Sequence, residues 1–445
     1  MTRDAAGIRF EVAPGGALRG RLRVPGDKSI SHRAVMLAAL ADGSTEVSGF
    51  LEGADSLATL VAFRAMGVQA EGPHSGRLLI HGVGLNGLRA APGPMDLGNS
   101  GTSMRLLAGL LAGQTFPSTL TGDASLSRRP MRRVTEPLAT MGADIRTTAA
   151  GTAPLHIMPV PRLDAIEYAL PVASAQVKSS LLLAGLYADG ITDITEPAPT
   201  RDHTERMLRA FGWPVQTSGN RIRLVGGQRL RAAPIAIPAD ISSAAFFLVG
   251  ASIAPGSDLI LEQVGINPTR AGILTLLQAM GADISIENPR QFGAEPVADL
   301  HVRSAPLRGI RIPEAQVPLA IDEFPALFIA AACADGETLL TGATELRVKE
   351  SDRIAVMAAG LDAIGVVAEP RADGLRIGGR GAAALLGGGQ IHSHGDHRIA
   401  MAFAMAALRA AAPIQIEDCS NVGTSFPGFA DLAVAAGLGI TEACA

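Results

Sequence analysis

Aromatic side chains, cysteine and long apolar runs are all scarce in this sequence of 445 residues. Aromatic residues make up 4% of the chain and the net charge is −4, so we expect no nucleic-acid partner, which would need stacking surfaces and an excess of positive charge. No apolar run approaches the roughly 20 residues that cross a bilayer, so we expect no membrane partner. The first residues lack an apolar core and a cleavage pattern, which favours a cytoplasmic protein.

The chain has only three cysteines, and their spacing matches neither a metal site nor a redox pair. Cys333 lies in an apolar helix-like run, Cys419 in a short strand-like segment and Cys444 in the tail. We therefore expect three free thiols. Because 445 residues exceed one ordinary hydrophobic core, the length predicts two large domains.

Two short markers recur six times along the chain, with a period of roughly 70 residues. One marker is a helix that ends in glycine before a strand, since glycine suits the left-handed C-cap. It occurs at Gly67, Gly142, Gly212, Gly281, Gly365 and Gly437. The other marker is a turn about one strand and one helix earlier. It occurs at Asp42-Gly43, Ala112-Gly113, Asp189-Gly190, Pro255-Gly256, Asp335-Gly336 and Ala412-Pro413. Together the markers predict six small α/β units.

The first helix of a unit is apolar nearly all round, as in residues 180–186 (SLLLAGL) and 326–332 (ALFIAAA). Helices of this kind are expected inside their domain. Their polar first turns are therefore unusual, because they would carry polar groups into or beside a core.

These first turns contain hydroxyl, amide and charged side chains. They are residues 26–33 (GDKSISHR), 99–105 (NSGTSMR), 174–178 (SAQVK), 240–243 (DISS), 321–323 (IDE) and 395–398 (GDHR). The second helices begin with charged sets at residues 128–133, 201–205, 267–270 and 349–353. A helix N-terminus carries positive partial charge, so arginine and lysine beside it favour a bound phosphate or carboxylate. The alternative is a series of ordinary capped helices with solvated charges.

Other motifs in the sequence do not predict a further functional site. Residues 82–87 (GVGLNG) match a dinucleotide fingerprint, but no helix is expected after them, so they predict a turn. Residues 26–29 lack the earlier glycine of a P-loop, so ATP is not expected. His392, His394 and His397 lie close together without an accompanying cysteine or paired helical motif, so we expect no metal and no cofactor. Covalent catalysis is not favoured, because the sequence has no nucleophile elbow and no cysteine beside a histidine.

Several segments carry a resemblance when they are taken together. They are residues 26–33, 98–102 (GNSGT), 122–126 (GDASL), 129–131 (RPM), 347–353 (RVKESDR) and 396–398 (DHR). This set closely resembles the 3-phosphoshikimate 1-carboxyvinyltransferase (EPSP synthase) family, over nearly the whole chain. Residues 174–178, 201–205 (RDHTE) and 267–270 (NPTR) are similar to its class II branch, which is often glyphosate-tolerant.

The resemblance implies an α/β (α+β) fold, a two-domain inverse α/β barrel built from six βαβαββ units, three in each domain. It implies that the first domain is discontinuous, residues 1–22 plus 242–445, with the N-terminal strand joining the C-terminal half. Residues 23–241 would form the second domain. The active site would lie in the cleft between the two domains, which close on substrate.

The family transfers the enolpyruvyl (carboxyvinyl) group of phosphoenolpyruvate to the 5-hydroxyl of shikimate 3-phosphate, through a tetrahedral intermediate that loses phosphate. The implied partners are therefore two small anions, and we expect a monomer without a cofactor. Bringing two polyanions together requires fixed cations in a water-poor site, which agrees with the charged helix starts.

The resemblance also assigns site residues. Shikimate 3-phosphate would be bound by Lys28, Ser29, Arg33, Ser174, Ala175, Gln176, Arg201, Asp322 and Lys349. Phosphoenolpyruvate would be bound by Lys28, Gly101, Arg129, Gln176, Arg353 and Arg398. The catalytic residues would be Asp322, which takes the hydroxyl proton, and Glu350, which protonates and later deprotonates the methylene carbon, with Lys28 beside both.

Two positions depart from the family pattern. Many members carry a lysine where this chain has Thr424, and some tolerant members carry an alanine where it has Gly101. The closest alternative is UDP-N-acetylglucosamine enolpyruvyl transferase, which normally has a reactive cysteine in its first domain, whereas no cysteine here precedes Cys333. A non-catalytic phosphate-binding scaffold is a second alternative, but it would leave Asp322 and Glu350 without a purpose.

Overall fold

Helices and strands alternate along the chain in a computed structural model, which describes residues 7–382 and 384–444. The helices are α1 (Lys28–Leu40), α2 (Ala54–Ala65), α3 (Gly101–Ala112), α4 (Arg132–Thr140), α5 (Ala175–Gly185), α6 (His203–Ala210), α7 (Ile241–Ile253), α8 (Gly272–Ala279), α9 (Val317–Ala320), α10 (Phe324–Cys333), α11 (Arg353–Ala363), α12 (His397–Ala406), α13 (Val422–Ser425) and α14 (Phe429–Ala436).

The strands are mostly short. They are β1 (Ile8–Val12), β2 (Arg19–Leu22), β3 (Asp42–Ser48), β4 (Gln69–His74), β5 (Arg77–Val83), β6 (Met95–Asp96), β7 (Ser118–Thr121), β8 (Asp144–Arg146), β9 (Leu155–Met158), β10 (Leu163–Asp164), β11 (Glu167–Ala169), β12 (Ala188–Asp189), β13 (Ile191–Thr195), β14 (Val215–Ser218), β15 (Arg221–Val225), β16 (Ile235–Ala236), β17 (Asp258–Gly265), β18 (Asp283–Phe292), β19 (Glu295–Arg303), β20 (Asp335–Leu340), β21 (Val367–Arg371), β22 (Gly374–Arg380), β23 (Gly389–His392), β24 (Ile414–Glu417) and β25 (Ile440–Cys444).

All six predicted first helices are present, and five begin with a side-chain cap. The carboxylate of Asp27 accepts the N–H of Ile30 at 2.8 Å at the start of α1. Equivalent caps come from Ser100, Ser174, Asp240 and Asp396. The exception is α10, which has no side-chain cap but has Pro325 in its first turn, where the missing N–H costs nothing.

The six predicted helix-ending glycines all adopt positive φ, from +77° at Gly365 to +113° at Gly437. This conformation is strained for residues with a Cβ, so the prediction of left-handed C-caps is confirmed. The second marker is more varied. Gly43 and Gly336 lie inside β3 and β20 rather than before them, because these strands begin at Asp42 and Asp335.

The first helices are buried, as their apolar composition predicts. Every residue of α7 and α10 is buried, and so is all of α1 after its first two residues. Burial of apolar surface from water supplies the main driving force for this arrangement. The buried side chains form two separate hydrophobic clusters, one from residues of α1 to α6 and one from residues of α7 to α14 together with β1.

Six small sheets accompany these helices and show the repeat. The strand orders are β16-β3-β5-β4, β6-β7-β9-β8, β11-β13-β15-β14, β18-β19-β17-β2, β20-β22-β21 and β23-β24-β1-β25, with β10 and β12 as an additional parallel pair. In the second, third and sixth sheets a parallel pair is joined through the first helix of the repeat, the crossover that parallel strands require. The fold is therefore the predicted two-domain inverted α/β architecture of six repeats.

Two strands are exchanged between repeats, and this divides the chain. Strand β2 precedes α1 but pairs in parallel with β17, whereas β16 precedes α7 but pairs in parallel with β3. The chain accordingly forms two compact units. We call Met1–Pro25, Pro238–Arg290 and Pro296–Ala445 the terminal unit, and Gly26–Ile237 with Gln291–Glu295 the central unit. In the terminal unit, β1 lies between β24 and β25.

Smaller predictions have mixed outcomes. Residues 82–87 end β5 and enter a turn, and no helix begins until Gly101. The three cysteines are free thiols, as expected. The strand-like environment predicted for Cys419 is wrong, because β24 ends at Glu417 and Cys419 belongs to the following loop. No helix in residues 7–382 and 384–444 has the length and apolar character to cross a bilayer.

Candidate active site

The first two turns of α1 carry Lys28, Ser29 and Arg33 in the central unit. The Nζ atom of Lys28 lies 3.0 Å from Oδ2 of Asp55, at the start of α2. Arg33 donates through Nη1 to the backbone oxygen of Ser29 at 2.9 Å. The cation at this helix start therefore has a carboxylate of the protein itself beside it.

Arg33 also joins α1 to two other helices. Its Nε donates to Oγ1 of Thr204 on α6, and its Nη2 donates to Oγ of Ser179 on α5, each at 2.7 Å. The two hydroxyls are themselves hydrogen-bonded at 2.8 Å. Because Arg33 is buried, these bonds hold its guanidinium in one orientation.

Two arginines approach the first residue of α3. A Cβ atom at Gly101 would lie 2.9 Å from Nη1 of Arg105 and 3.2 Å from Nη1 of Arg129. Arg129 donates to Oδ1 of Asn99 at 2.5 Å and to Oγ of Ser125 at 3.3 Å. Two guanidinium groups beside a helix N-terminus are a favourable setting for an anion.

Gln176 connects the start of α5 to this arginine pair. Its Oε1 accepts from Nη1 of Arg105 at 2.7 Å, and its Nε2 donates to Oγ1 of Thr102 at 3.1 Å. Ser174 caps α5 and Ala175 is its first residue, so both adjoin Gln176 along the chain. Arg201 stands in the loop between β13 and α6. The central unit thus carries nine of the predicted binding residues, and Gly101, Arg129 and Gln176 form one cluster with Arg105.

A buried hydroxyl network lies behind the starts of α1 and α3. His32 Nδ1 and Oγ1 of Thr59 are 2.8 Å apart, and Thr59 is 2.6 Å from Oγ of Ser103. Ser103 in turn lies 2.7 Å from Oγ of Ser100, the cap of α3. The network therefore links α1, α2 and α3 through uncharged groups.

In the terminal unit, Arg353 binds three carboxylates at once. Its Nη2 is 2.6 Å from Oε2 of Glu350, its Nη1 is 3.4 Å from Oδ1 of Asp322, and its Nε is 2.8 Å from Oδ2 of Asp396. Burial, the largest single influence, works against the charge, but Asp396, Glu350 and Asp322 together outweigh it and raise the pKa of Arg353. The guanidinium is permanently charged and holds both predicted catalytic carboxylates.

Lys349 and Arg398 complete this cluster. The Nζ of Lys349 is 3.3 Å from Oδ1 of Asp322, and Nη1 of Arg398 donates to the backbone oxygen of Asp322 at 2.9 Å. Arg398 also lies 3.7 Å from Oε1 of Glu323, a buried carboxylate. Asp322 is therefore fixed through both its side chain and its backbone.

Several charged helix starts contact the protein's own acids, so the expectation that their cations need an external anion was too broad. Arg270 binds the Oγ of Ser242 at 2.5 Å and Oδ1 of Asp240 at 3.1 Å. Lys178 is buried against Glu196 and Glu205 and belongs to no anion-facing cluster. The sequence pattern cannot distinguish these cases, because the partner carboxylates come from other elements.

The three histidines considered for zinc lie in different surroundings. The rings of His392 and His394 pack together with centroids 4.3 Å apart, whereas His397 is buried in the first turn of α12. At the other departure from the family pattern, Thr424 donates to the backbone oxygen of Asn421 at 2.7 Å. A neutral hydroxyl in a local turn thus occupies the position of the family lysine.

Comparison with known proteins identifies the family of the chain. The family model described as EPSP synthase (3-phosphoshikimate 1-carboxyvinyltransferase) matches residues 12–432. The chain belongs to this family. A protein of Alkalilimnicola ehrlichii named 3-phosphoshikimate 1-carboxyvinyltransferase is 69% identical over 98% of this chain and 97% of its own length. One of the same name from Methylococcus capsulatus is 66% identical over 97% and 98%.

Solved structures agree with the family. EPSP synthase from Acinetobacter baumannii has a TM-score of 0.89 and 58% identity, covering 98% of this chain and 100% of that chain. The enolpyruvyl transferase NikO from Streptomyces tendae has a TM-score of 0.78 at 19% identity, with 99% of both chains covered, and so shares the fold. The alternative of a UDP-N-acetylglucosamine transferase is not favoured by these relatives.

Sequence reasoning missed several residues that contact the predicted site residues. Arg105 was seen only as part of a polar helix start, although it stands over Gly101 and binds Gln176. Asp55 and Asp396 were not expected to pair with Lys28 and Arg353. A basic residue at a helix start is a signal for such partners, but it does not identify them.

The buried imidazole of His32 predicts a pH-dependent stability. Burial, followed by the charges of Lys28 and Arg33, lowers the pKa of His32 to about 3. In the unfolded chain the pKa is near 6.5, so the unfolded state binds the proton first as the pH falls. The stabilising contribution is complete above pH 6.5 and is lost between there and pH 3.

We expect His32→Asn to abolish this pH dependence. Between pH 7 and pH 5.5 the wild type should lose about 1 kcal/mol of unfolding free energy relative to the variant, measured by urea denaturation. His156→Asn, at a histidine of β9 in an exposed hydrogen bond, is the control and should leave the wild-type slope in place. Parallel pH profiles for the wild type and His32→Asn would contradict a neutral buried imidazole.

Proposed function

We propose that this chain transfers the carboxyvinyl group of phosphoenolpyruvate to the 5-hydroxyl of shikimate 3-phosphate, releasing phosphate. Family membership supports this reaction, and so does the name shared by the relatives at 66–69% identity. The observation that carries the proposal is that Asp322 and Glu350, the two groups needed for proton transfer, are bound by one guanidinium, that of Arg353.

The first step forms a bond between the 5-hydroxyl oxygen and the carbon that bears the phosphate of phosphoenolpyruvate. Asp322 accepts the hydroxyl proton, while the methylene carbon gains a proton from Glu350 and becomes a methyl group. Lys349 and Arg353 contact the Asp322 carboxylate at 3.3 and 3.4 Å and hold it in place to accept the proton. The product of this step is a tetrahedral intermediate.

The second step breaks the bond between that carbon and the phosphate. Glu350 removes a proton from the methyl group, which restores the double bond as phosphate leaves, and Asp322 passes the hydroxyl proton to the departing phosphate. The Glu350 carboxyl thus gives and takes back a proton, and its contact with Arg353 at 2.6 Å keeps it in place between the two events. In this scheme Lys28 binds both substrates.

Anion binding is divided between the two units. In the central unit we assign shikimate 3-phosphate to Lys28, Ser29, Arg33, Ser174, Ala175, Gln176 and Arg201, and phosphoenolpyruvate to Lys28, Gly101, Arg129 and Gln176. In the terminal unit we assign the first to Asp322 and Lys349, and the second to Arg353 and Arg398. Fixed guanidinium and ammonium groups in these sets would offset the repulsion between the two substrates. The location of the site between two closing domains, 1–22 plus 242–445 and 23–241, stays a prediction.

We infer that the enzyme acts as a monomer in the cytoplasm. Every assigned residue stands in one chain, so no second copy is needed to complete the residue set. The substrates are phosphorylated and do not cross membranes unaided. Light scattering after gel filtration, and fractionation of the source cells, test the two statements.

Phosphate release tests the proposed reaction. The purified protein should release phosphate when it is given shikimate 3-phosphate and phosphoenolpyruvate together, and none when either is omitted. Replacing shikimate 3-phosphate with UDP-N-acetylglucosamine should abolish release. Release with the UDP-sugar only, or with neither acceptor, would contradict the proposal.

Asp322→Asn should leave binding largely intact but reduce turnover. The amide keeps the size of the carboxylate and loses the ability to accept the hydroxyl proton, so kcat should fall by about 10²–10⁴-fold. Calorimetry with shikimate 3-phosphate checks that the acceptor still binds. Asp362→Asn, at an exposed carboxyl on α11, serves as the control and should keep normal kcat. A near-normal kcat for Asp322→Asn would rule out its role as the base.

Gly101→Ala should weaken the binding of phosphoenolpyruvate. The new Cβ would push against the ends of two long side chains, Arg105 and Arg129, which can move but then leave their positions. We expect KM for phosphoenolpyruvate to rise by about tenfold or more, which corresponds to the loss of roughly one charge-assisted hydrogen bond. Gly93→Ala, where a Cβ meets no atom within 4 Å, should leave this KM unchanged. An unchanged KM in Gly101→Ala would argue against phosphate or carboxylate binding at α3.

A further inference from the structure

A buried cluster of three charges lies behind the central unit's site and takes no part in the proposed chemistry. The Nζ of Lys178 on α5 contacts Oε1 of Glu196 and lies 2.7 Å from Oε1 of Glu205 on α6. The exposed fractions of these three side chains are 2%, 3% and 1%. We call these residues the Lys178 triad. At this burial none of them can touch a substrate.

The Lys178 triad holds the backbone of one residue on both sides. Thr200 donates its N–H to Oε2 of Glu196 at 2.8 Å, and its backbone oxygen accepts from Nζ of Lys178 at 3.3 Å. Arg201, which we assign to shikimate 3-phosphate, is the next residue. The triad therefore sets the direction in which the Arg201 side chain leaves the backbone.

The same helices carry the contacts of Arg33, the other arginine assigned to this substrate. Ser179, which accepts from Arg33, directly follows Lys178 on α5, and Thr204, which also accepts from Arg33, directly precedes Glu205 on α6. The Lys178–Glu205 pair thus joins the two turns on which Arg33 rests. One buried cluster determines the position of two substrate-facing arginines.

Stability alone does not account for such a cluster. Buried ion pairs are often replaceable by apolar side chains without loss of stability, because desolvation offsets their attraction. The triad also contains two carboxylates for one ammonium group. Burial raises the pKa of the Glu196 carboxyl against the opposing attraction of Lys178. A merely structural role would be met more simply by aliphatic residues.

We propose that Lys178, Glu196 and Glu205 are positioning residues for shikimate 3-phosphate, which fix the backbone at Thr200 and so aim Arg201 at its phosphate. This inference rests on the proposed function. It also explains why residues 174–178 and 201–205, two segments far apart in sequence, belong together: Lys178 and Glu205 form one ion pair.

Glu196→Ala tests the inference, because it removes the acceptor for Thr200 and leaves Lys178 and Glu205 as a balanced pair. We expect Kd for shikimate 3-phosphate, from calorimetry, and its KM to rise about tenfold or more, with KM for phosphoenolpyruvate within about threefold of wild type. Glu196→Gln keeps an oxygen that can accept the Thr200 N–H and should restore most of the affinity.

Asp193→Ala is the matched control. This carboxylate is also buried, three residues earlier on β13, but it pairs with Arg221 and Arg223 instead of the loop. We expect the midpoint temperature of thermal unfolding to shift in this variant, while Kd for shikimate 3-phosphate stays within about threefold of wild type.

A second variant is available should Glu196→Ala fail to fold. Lys178→Met combined with Glu205→Gln removes the other half of the contact as a neutralised pair. It should also weaken the binding of shikimate 3-phosphate selectively.

The outcomes separate this inference from the function on which it rests. Wild-type binding of shikimate 3-phosphate with no change in Glu196→Ala would overturn the positioning role alone. Equal weakening of both substrates, or failure of Glu196→Gln to restore binding, would show a general structural role and overturn it as well. No binding of shikimate 3-phosphate to the wild type would instead overturn the proposed function.

Discussion

The need to keep cations beside helix N-termini constrains much of this structure. The N-terminal end of a helix is already positive, so an arginine or lysine there is unfavourable unless a negative group accompanies it. The chain meets this need with its own carboxylates. Asp55 pairs with Lys28, Asp396 with Arg353, and Glu196 and Glu205 with Lys178. These pairs hold the basic groups in fixed positions before any substrate arrives.

The consequence for catalysis is preorganisation. Arg353 cannot turn away from Glu350 or Asp322 without leaving charges unpaired in a buried setting, which would be costly. Proton transfer by these carboxyls therefore takes place around a guanidinium that does not need to move. Arg33 is held in a comparable way by neutral hydroxyls, which orient it without cancelling its charge.

The repeated architecture makes this arrangement possible with short elements. Each repeat places a buried helix beside a small sheet, and left-handed glycines end one helix in every repeat. The exchange of β2 and β16 between sheets lies where the chain passes from one unit to the other. The predicted site residues fall on both units, nine in the central unit and five in the terminal unit. A reaction that uses all of them requires both.

The amino-acid sequence by itself determined the six repeats, the buried first helices and their capped starts, because glycine, capping residues and apolar periodicity act over a few neighbouring positions. Resemblance in short motifs was also enough to indicate the family. Only the tertiary structure decided which cation faces which group. Lys178 and Lys28 look alike at their helix starts, yet Lys178 is buried against two glutamates and Lys28 is half-buried beside Asp55. The difference depends on carboxylates brought from distant elements by packing, and no local pattern encodes that distance.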